Sequence, residues 1–144
     1  MLNIKIIAVG SLETHFTQAV SEYQKRLQRY CSLSIIQIKH SDIKRETEDI
    51  KKHIGKGTVC LCDVTGIMVS SEGLAKKLDQ AAMSHGAITF IIGGSEGVGN
   101  LLDSLINDKI SFGQITLPHQ LFRVVLVEQI YRAFTILNNE KYHK

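Results

Sequence analysis

The strongest constraint on this chain is an alternation of short apolar runs with stretches of helical spacing. The runs are residues 3–9, 33–39, 58–63 and 87–92. Between the first two, Phe16, Ala19, Val20, Tyr23 and Leu27 repeat at the period of one helix face, predicting a helix over 13–30. Ser41-Asp42 offers a cap for a second helix carrying Ile43, Ile50 and Ile54, which stops near Gly55-Lys56-Gly57. Ser70-Ser71-Glu72 opens a third, with Leu74, Ala75, Leu78, Ala81 and Ala82 inward and Gly86 as its stop. The pattern reads βαβαβαβ with short connections. It predicts an α/β domain, residues 1–144, whose parallel strands are joined by right-handed helical crossovers. A helix over 100–107, a last strand over 109–112 and a helix over 118–138 complete the expected order.

In such a sheet, ligands bind outside the C-terminal ends of the strands. The turn at Asp63-Val64-Thr65-Gly66 and the loop after Ile92 share that rim. The second is Gly93-Gly94-Ser95-Glu96-Gly97-Val98-Gly99, with four glycines in seven positions. A bare backbone there lets a ligand approach closely. The loop is neither G-x-G-x-x-G nor a P-loop, and Glu96 would repel a phosphate cluster, so a weakly anionic ligand is expected. An oxidoreductase using a nucleotide would need that fingerprint after the first strand, where Val9-Gly10-Ser11-Leu12-Glu13 has one glycine. The loop Phe112, Gly113, Gln114, Ile115, Thr116, Leu117 is the expected second wall of the pocket.

Net charge is +3, from 17 Lys/Arg against 14 Asp/Glu. It is uneven, +4 over residues 1–57 and −1 over 58–144. This is compatible with nucleic acid without requiring it. Cys31, Cys60 and Cys62 are an odd set without metal-ligand spacing and read as small core residues, so no metal is expected. No apolar run spans a bilayer and no export signal is seen, so the expected location is cytoplasmic.

The last helix is apolar around most of its circumference. Glu128, Gln129, Arg132 and Thr135 form its one polar arc. Burial on more than one side points to a second subunit. His119 and Arg123 stack one turn apart on its apolar face, in the first turn, where the helix dipole disfavours cations. They suggest an anionic or polar partner. Tyr142 and His143 add a phenol and an imidazole in the tail.

Four blocks carry a resemblance. They are Ile91-Ile92-Gly93-Gly94-Ser95-Glu96-Gly97, Thr116-Leu117-Pro118-His119-Gln120-Leu121-Phe122-Arg123, Glu128-Gln129-Ile130-Tyr131-Arg132-Ala133-Phe134, and Tyr142-His143-Lys144. With the opening Ile4-Lys5-Ile6-Ile7-Ala8-Val9-Gly10, they resemble the ribosomal RNA large subunit methyltransferase H (RlmH) family of the SPOUT superfamily, over nearly the whole chain. The resemblance implies a SPOUT-type α/β fold with a C-terminal trefoil knot and a mostly parallel sheet flanked by helices. It implies a homodimer that transfers a methyl group from S-adenosylmethionine to N3 of a pseudouridine in the helix 69 loop of 23S rRNA, on assembled ribosomes. Carried over by position, the cofactor would contact Cys62, Gly94, Phe112, Gly113, Gln114, Ile115, Thr116 and Leu117. Arg132, Tyr142 and His143 would meet the RNA, with Arg123 and His119 as further candidates for the reaction. Three departures stand out: a region 44–52 shorter than usual, Lys141 where the family commonly has proline, and cysteine rather than leucine at 62. The rival reading is a ribosome-binding dimer of the same fold without turnover.

Overall fold

The computed structural model describes residues 1–144. Five strands form one parallel sheet: β1 (Leu2–Val9), β2 (Cys31–Ile38), β3 (Thr58–Met68), β4 (Ala87–Ile92) and β5 (Asp108–Ser111), in the order β2-β1-β4-β3-β5. The helices are α1 (Thr14–Leu27), α2 (Ile43–His53), α3 (Ser71–Ser84) and α4 (His119–Leu137). The expected α/β order is therefore present.

Alternation along the strands builds a separate core on each side of the sheet. From β1, Leu2, Ile4, Ile6 and Ala8 enter a cluster of 21 buried residues under α1, α3 and α4. Ile7 and Val9 point the other way, into a cluster of 8 that includes Ile50 of α2 and Leu102. Phe90 and Ile91 of β4 divide likewise. Caps form where short polar side chains were expected to supply them. Asp42 accepts from the Arg45 amide at 2.9 Å and Ser70 from the Gly73 amide at 2.9 Å.

Three elements differ from expectation. The helix expected over 100–107 is only one 3-10 turn, Asn100–Leu102. Asn107 explains this: its amide donates to Val59 O and its side-chain oxygen accepts from Val59 N, so the chain is already laid along β3 there. β5 accordingly runs from Asp108 to Ser111 and leaves Phe112 in the loop. β3 does not end at Asp63. It continues to Met68 beside β5, with the register shifted between Cys62 and Ile67. In α4, Pro118 sits at the cap rather than the first helical position, and Thr135 of the polar arc is buried, its hydroxyl donating to Arg132 O at 2.6 Å.

α4 packs on α1 and α3 and reaches back under β1. Its anchor is Arg123, 1% exposed, whose Nη2 donates to Gly10 O at 2.9 Å and Val9 O at 3.4 Å, and whose Nη1 donates to Gln37 Oε1 at 3.4 Å. Burial lowers its pKa, yet a guanidinium stays charged. Replacing a buried, hydrogen-bonded charge by an apolar chain strands its acceptors. Arg123→Met should lower unfolding free energy by about 2–4 kcal/mol in urea titrations.

Candidate active site

Three segments at the C-terminal ends of β3, β4 and β5 line one rim. After β4, the glycine loop closes on itself: Gly97 N donates to Gly94 O at 3.0 Å and Gly97 has φ +77°. A side chain at Gly94 would meet Glu46 Oε1 at 3.1 Å and Val9 Cγ1 at 3.3 Å. After β5, Ser111 Oγ accepts from Gly113 N at 3.1 Å and donates to Gly113 O at 2.9 Å, setting the start of the second loop. Beyond it, Gln114, Ile115 and Thr116 are exposed and Leu117 is half-buried. The chain makes no hydrogen bond to the amides of Gln114, Ile115, Thr116 or Leu117. Ile115 is 80% exposed, and Ile67 and Met68 on the β3 extension are 79% and 62% exposed. Unspent backbone donors beside uncovered apolar side chains fit a ligand with both polar and apolar surface.

Cys62 is half-buried on β3, paired in register with Ile92 and Ile110. Its side chain packs against the larger core, as expected for a small core residue. Burial pushes its thiol well above the ordinary range, and raises Cys60 to about 12 and Cys31 to about 11. None is a thiolate near neutrality.

A second group of candidates gathers on α4. The helix ends with Asn139 at φ +55°, and the tail turns back. Glu140 accepts from Tyr30 Oη at 2.6 Å and Arg29 Nη2 at 2.6 Å, which pins the turn to the connection between α1 and β2. Tyr142 Oη then donates to Glu128 Oε1 at 3.0 Å, and Arg132 donates to the same oxygen through Nη2 at 2.6 Å and Nε at 3.1 Å. The Arg132 guanidinium lies 4.8 Å from the centre of the Tyr142 ring. Burial, followed by hydrogen bonding, raises the Tyr142 pKa, so the phenol stays a donor. His143 is held from both sides: Arg132 Nη1 lies 3.3 Å from its Nδ1 and Glu72 Oε1 lies 2.7 Å from its Nε2. Arginine can only donate, so in this contact Nδ1 accepts and Nε2–H donates to Glu72. Glu72 itself is lowered, first by its own backbone amide at the start of α3 and then by His143.

A cavity of about 280 Å³ lies between Phe112 and the starts of these contacts, lined by Val69, Ser70, Ser71, Leu74, Val125 and Gln129 besides Phe112. Phe112 belongs to the second loop, and Ser71 and Gln129 are the chain neighbours of Glu72 and Glu128. Ser71 Oγ donates to Gln129 Oε1 at 2.7 Å, and Gln129 Nε2 donates to Glu128 Oε2 at 2.9 Å. A larger cleft, about 380 Å³, runs along α1, and none of its lining residues belongs to these loops. Arg132, Tyr142 and His143 thus come together. Arg123 and His119 do not join them. Arg123 is used by the end of β1, and the half-buried His119 lies at Gly10, where an added Cβ would be 3.1 Å from its Cε1. Each keeps one buried nitrogen without a partner, His119 Nδ1 and Arg123 Nε. Glu72 and the α2 residues Glu46 and Thr47 were not foreseen. Glu72 had only its place in a helix start to mark it, and the other two looked like polar positions of a charged helix.

A parallel α/β sheet with a glycine loop and a second backbone loop on one rim has the arrangement in which such sheets bind ligands. The family model described as a predicted SPOUT methyltransferase matches residues 2–143. The ribosomal RNA large subunit methyltransferase H of Caldicellulosiruptor saccharolyticus is 42% identical over 153 residues, covering 98% of this chain and 99% of that protein. The protein of the same name from Mycoplasmopsis synoviae is 45% identical over 151 residues, covering 99% and 100%. That from Lactobacillus acidophilus is 42% identical over 159 residues, covering 99% and 100%. Among solved structures, a probable methylase family protein from Haemophilus influenzae Rd KW20 has the same fold, with TM-score 0.51 at 9% identity over 96% of this chain and 67% of that one. The chain belongs to the SPOUT methyltransferases, and within them to the ribosomal RNA large subunit methyltransferase H family. Membership of a methyltransferase family implies S-adenosylmethionine as the methyl donor. No helix is long and apolar enough to cross a membrane.

The thiol environments make a checkable statement. At pH 8, a disulfide reagent should label Cys60 and Cys62 at least tenfold more slowly in the folded chain than in guanidinium, by stopped-flow absorbance (about one decade per pKa unit).

Proposed function

We propose that this chain, acting as one SPOUT domain and as a homodimer in the cytoplasm, uses S-adenosylmethionine to methylate N3 of a pseudouridine in the helix 69 loop of 23S rRNA, on assembled ribosomes. The observation that carries this reading is the cavity of about 280 Å³: Phe112 of the proposed cofactor loop lines it together with Ser71 and Gln129, and Gln129 is bonded to Glu128, the carboxylate that holds Arg132 and Tyr142. The names of the relatives support ribosomal RNA as the substrate class.

The loop residues Gly94, Phe112, Gly113, Gln114, Ile115, Thr116 and Leu117, with the backbone at Cys62, would hold the cofactor. When bound, the cofactor supplies an electrophilic methyl carbon. The chain's contribution is then alignment and proton handling. The nucleophile is an imide nitrogen, which attacks after losing its proton. His143 Nδ1 is a lone pair held in place by Glu72 and takes that proton once Arg132 turns from it to the substrate. Arg132 then stabilises the anionic pyrimidine oxygen. Tyr142, kept protonated, donates rather than accepts. Arg123 and His119 hold the far end of the cofactor loop at the start of α4. A homodimer would cover the apolar side chains that α4 leaves at its surface, Leu121 and Leu137, each 37% exposed. The trefoil knot belongs to the same reading. It is supported by the return of the chain from β5, at one edge, past β3 and β4 to the end of β1.

The test is methyl transfer from labelled cofactor to intact ribosomes and to isolated rRNA, with and without pseudouridine. Label should enter ribosomes that contain pseudouridine. No label in either substrate would refute the proposal. His143→Ala should slow single-turnover methylation about a hundredfold or more while calorimetric cofactor affinity stays within about twofold. Unchanged turnover would remove His143 from the mechanism.

A further inference from the structure

Two successive residues of α2 lie under the glycine loop and touch it at opposite ends. Glu46 is 4% exposed and Thr47 is fully buried. Glu46 Oε2 accepts from Ser41 N at 2.8 Å and lies 2.9 Å from His40 Nδ1, which fixes the carboxylate against the loop before α2. Its other oxygen is where a Cβ at Gly94 would arrive, at 3.1 Å. Thr47 Oγ1 donates to Ile43 O at 2.6 Å and accepts from Gly99 N at 2.9 Å. A Cβ at Gly99 would lie 3.1 Å from that same oxygen. The loop from Gly94 to Gly99 is therefore seated at its first glycine on Glu46 and at its last on Thr47.

This seat does more than fill space. A glycine-rich backbone has many conformations to lose on ordering, so a ligand that binds it pays that entropy unless the protein has already done so. Within the loop, Gly97 N donates to Gly94 O. The hydrogen bond from Gly99 N to Thr47 Oγ1 ties the loop's far end to another element. We infer that Thr47, backed by Glu46, is a positioning residue that preorganises the glycine loop for the methyl donor. The inference rests on the cofactor reading above and adds residues that lie outside the two cofactor loops.

The expected signature is a loss of cofactor affinity without loss of the chemical step. Thr47→Val keeps the side-chain shape and leaves Gly99 N without its acceptor. It should weaken calorimetric binding of S-adenosylmethionine about tenfold and raise its KM similarly, with kcat at saturating cofactor near wild type. Thr47→Ser restores the oxygen and should bring affinity back to within about twofold of wild type. Gly99→Ala, at an ordinary extended φ of −80°, disturbs the same contact from the other side and carries the test if Thr47→Val fails to fold. A lower melting temperature with wild-type affinity in either variant would make Thr47 merely structural and overturn the inference. No cofactor binding by the wild-type chain would instead overturn the methyl-donor reading, and this inference with it.

Discussion

A charged side chain can stay in an apolar core only if its donors find acceptors there, and Arg123 sets that condition for the whole C-terminal half. Its acceptors are Val9 O, Gly10 O and Gln37, at the ends of β1 and β2. Helix α4 must therefore start under those strands, although the chain has just left β5 at the opposite edge. The loop from Phe112 to Leu117 spans that distance and is fixed at both ends, by Ser111 in the sheet and by Arg123 in the helix. Placing a buried cation at the end of a loop makes the loop's course a matter of hydrogen-bond satisfaction rather than of its own side chains.

Carboxylates organise the other wall. One oxygen of Glu128 receives Tyr142 and Arg132 together, and Glu72 takes the imidazole that Arg132 has approached from its far side. Glu128, at 17% side-chain exposure, and Arg132, at 25%, form a partly sheltered pair. Such a pair resists screening better than a surface one and keeps the geometry of the tail attached to it. Under the proposed function, Arg132 reaches RNA only by exchanging one partner for another.

Local periodicity made most of the fold legible. Strands β1 and β4 and helices α2 and α3 follow from apolar spacing and from Asp42, Ser70 and Gly86 as stops and starts. Long-range hydrogen bonds were not legible. Asn107 pairs with Val59 across 48 positions and turns an expected helix into one turn and a strand, which no local pattern announces. The extension of β3 past Asp63 depends likewise on a register shift against β5. At the site, the glycines stood out by residue type, while the blocks around Thr116, Arg132 and Tyr142 were singled out by the resemblance they carry. The direction of Arg123 could be read only in part: its place on the apolar face was visible, but the carbonyls waiting for it were not. Glu46 and Thr47 lay hidden because one turn of a charged helix looks the same whether it faces water or a loop.

The unequal cores carry a thermodynamic consequence. One face of the sheet is covered by three helices over 21 buried residues, the other by α2 and a single turn over 8. Fewer apolar contacts mean a smaller free energy of local opening, so backbone amides of α2 and the glycine loop should exchange with solvent ahead of those in α4. The glycine loop rests on the thinner face, where a molecule that recognises only the closed arrangement adds its binding free energy to local stability. Occupancy of the rim would then be read as hydrogen-exchange protection of the weakest layer, and the thin side would work as a reporter of how much cofactor the surroundings contain.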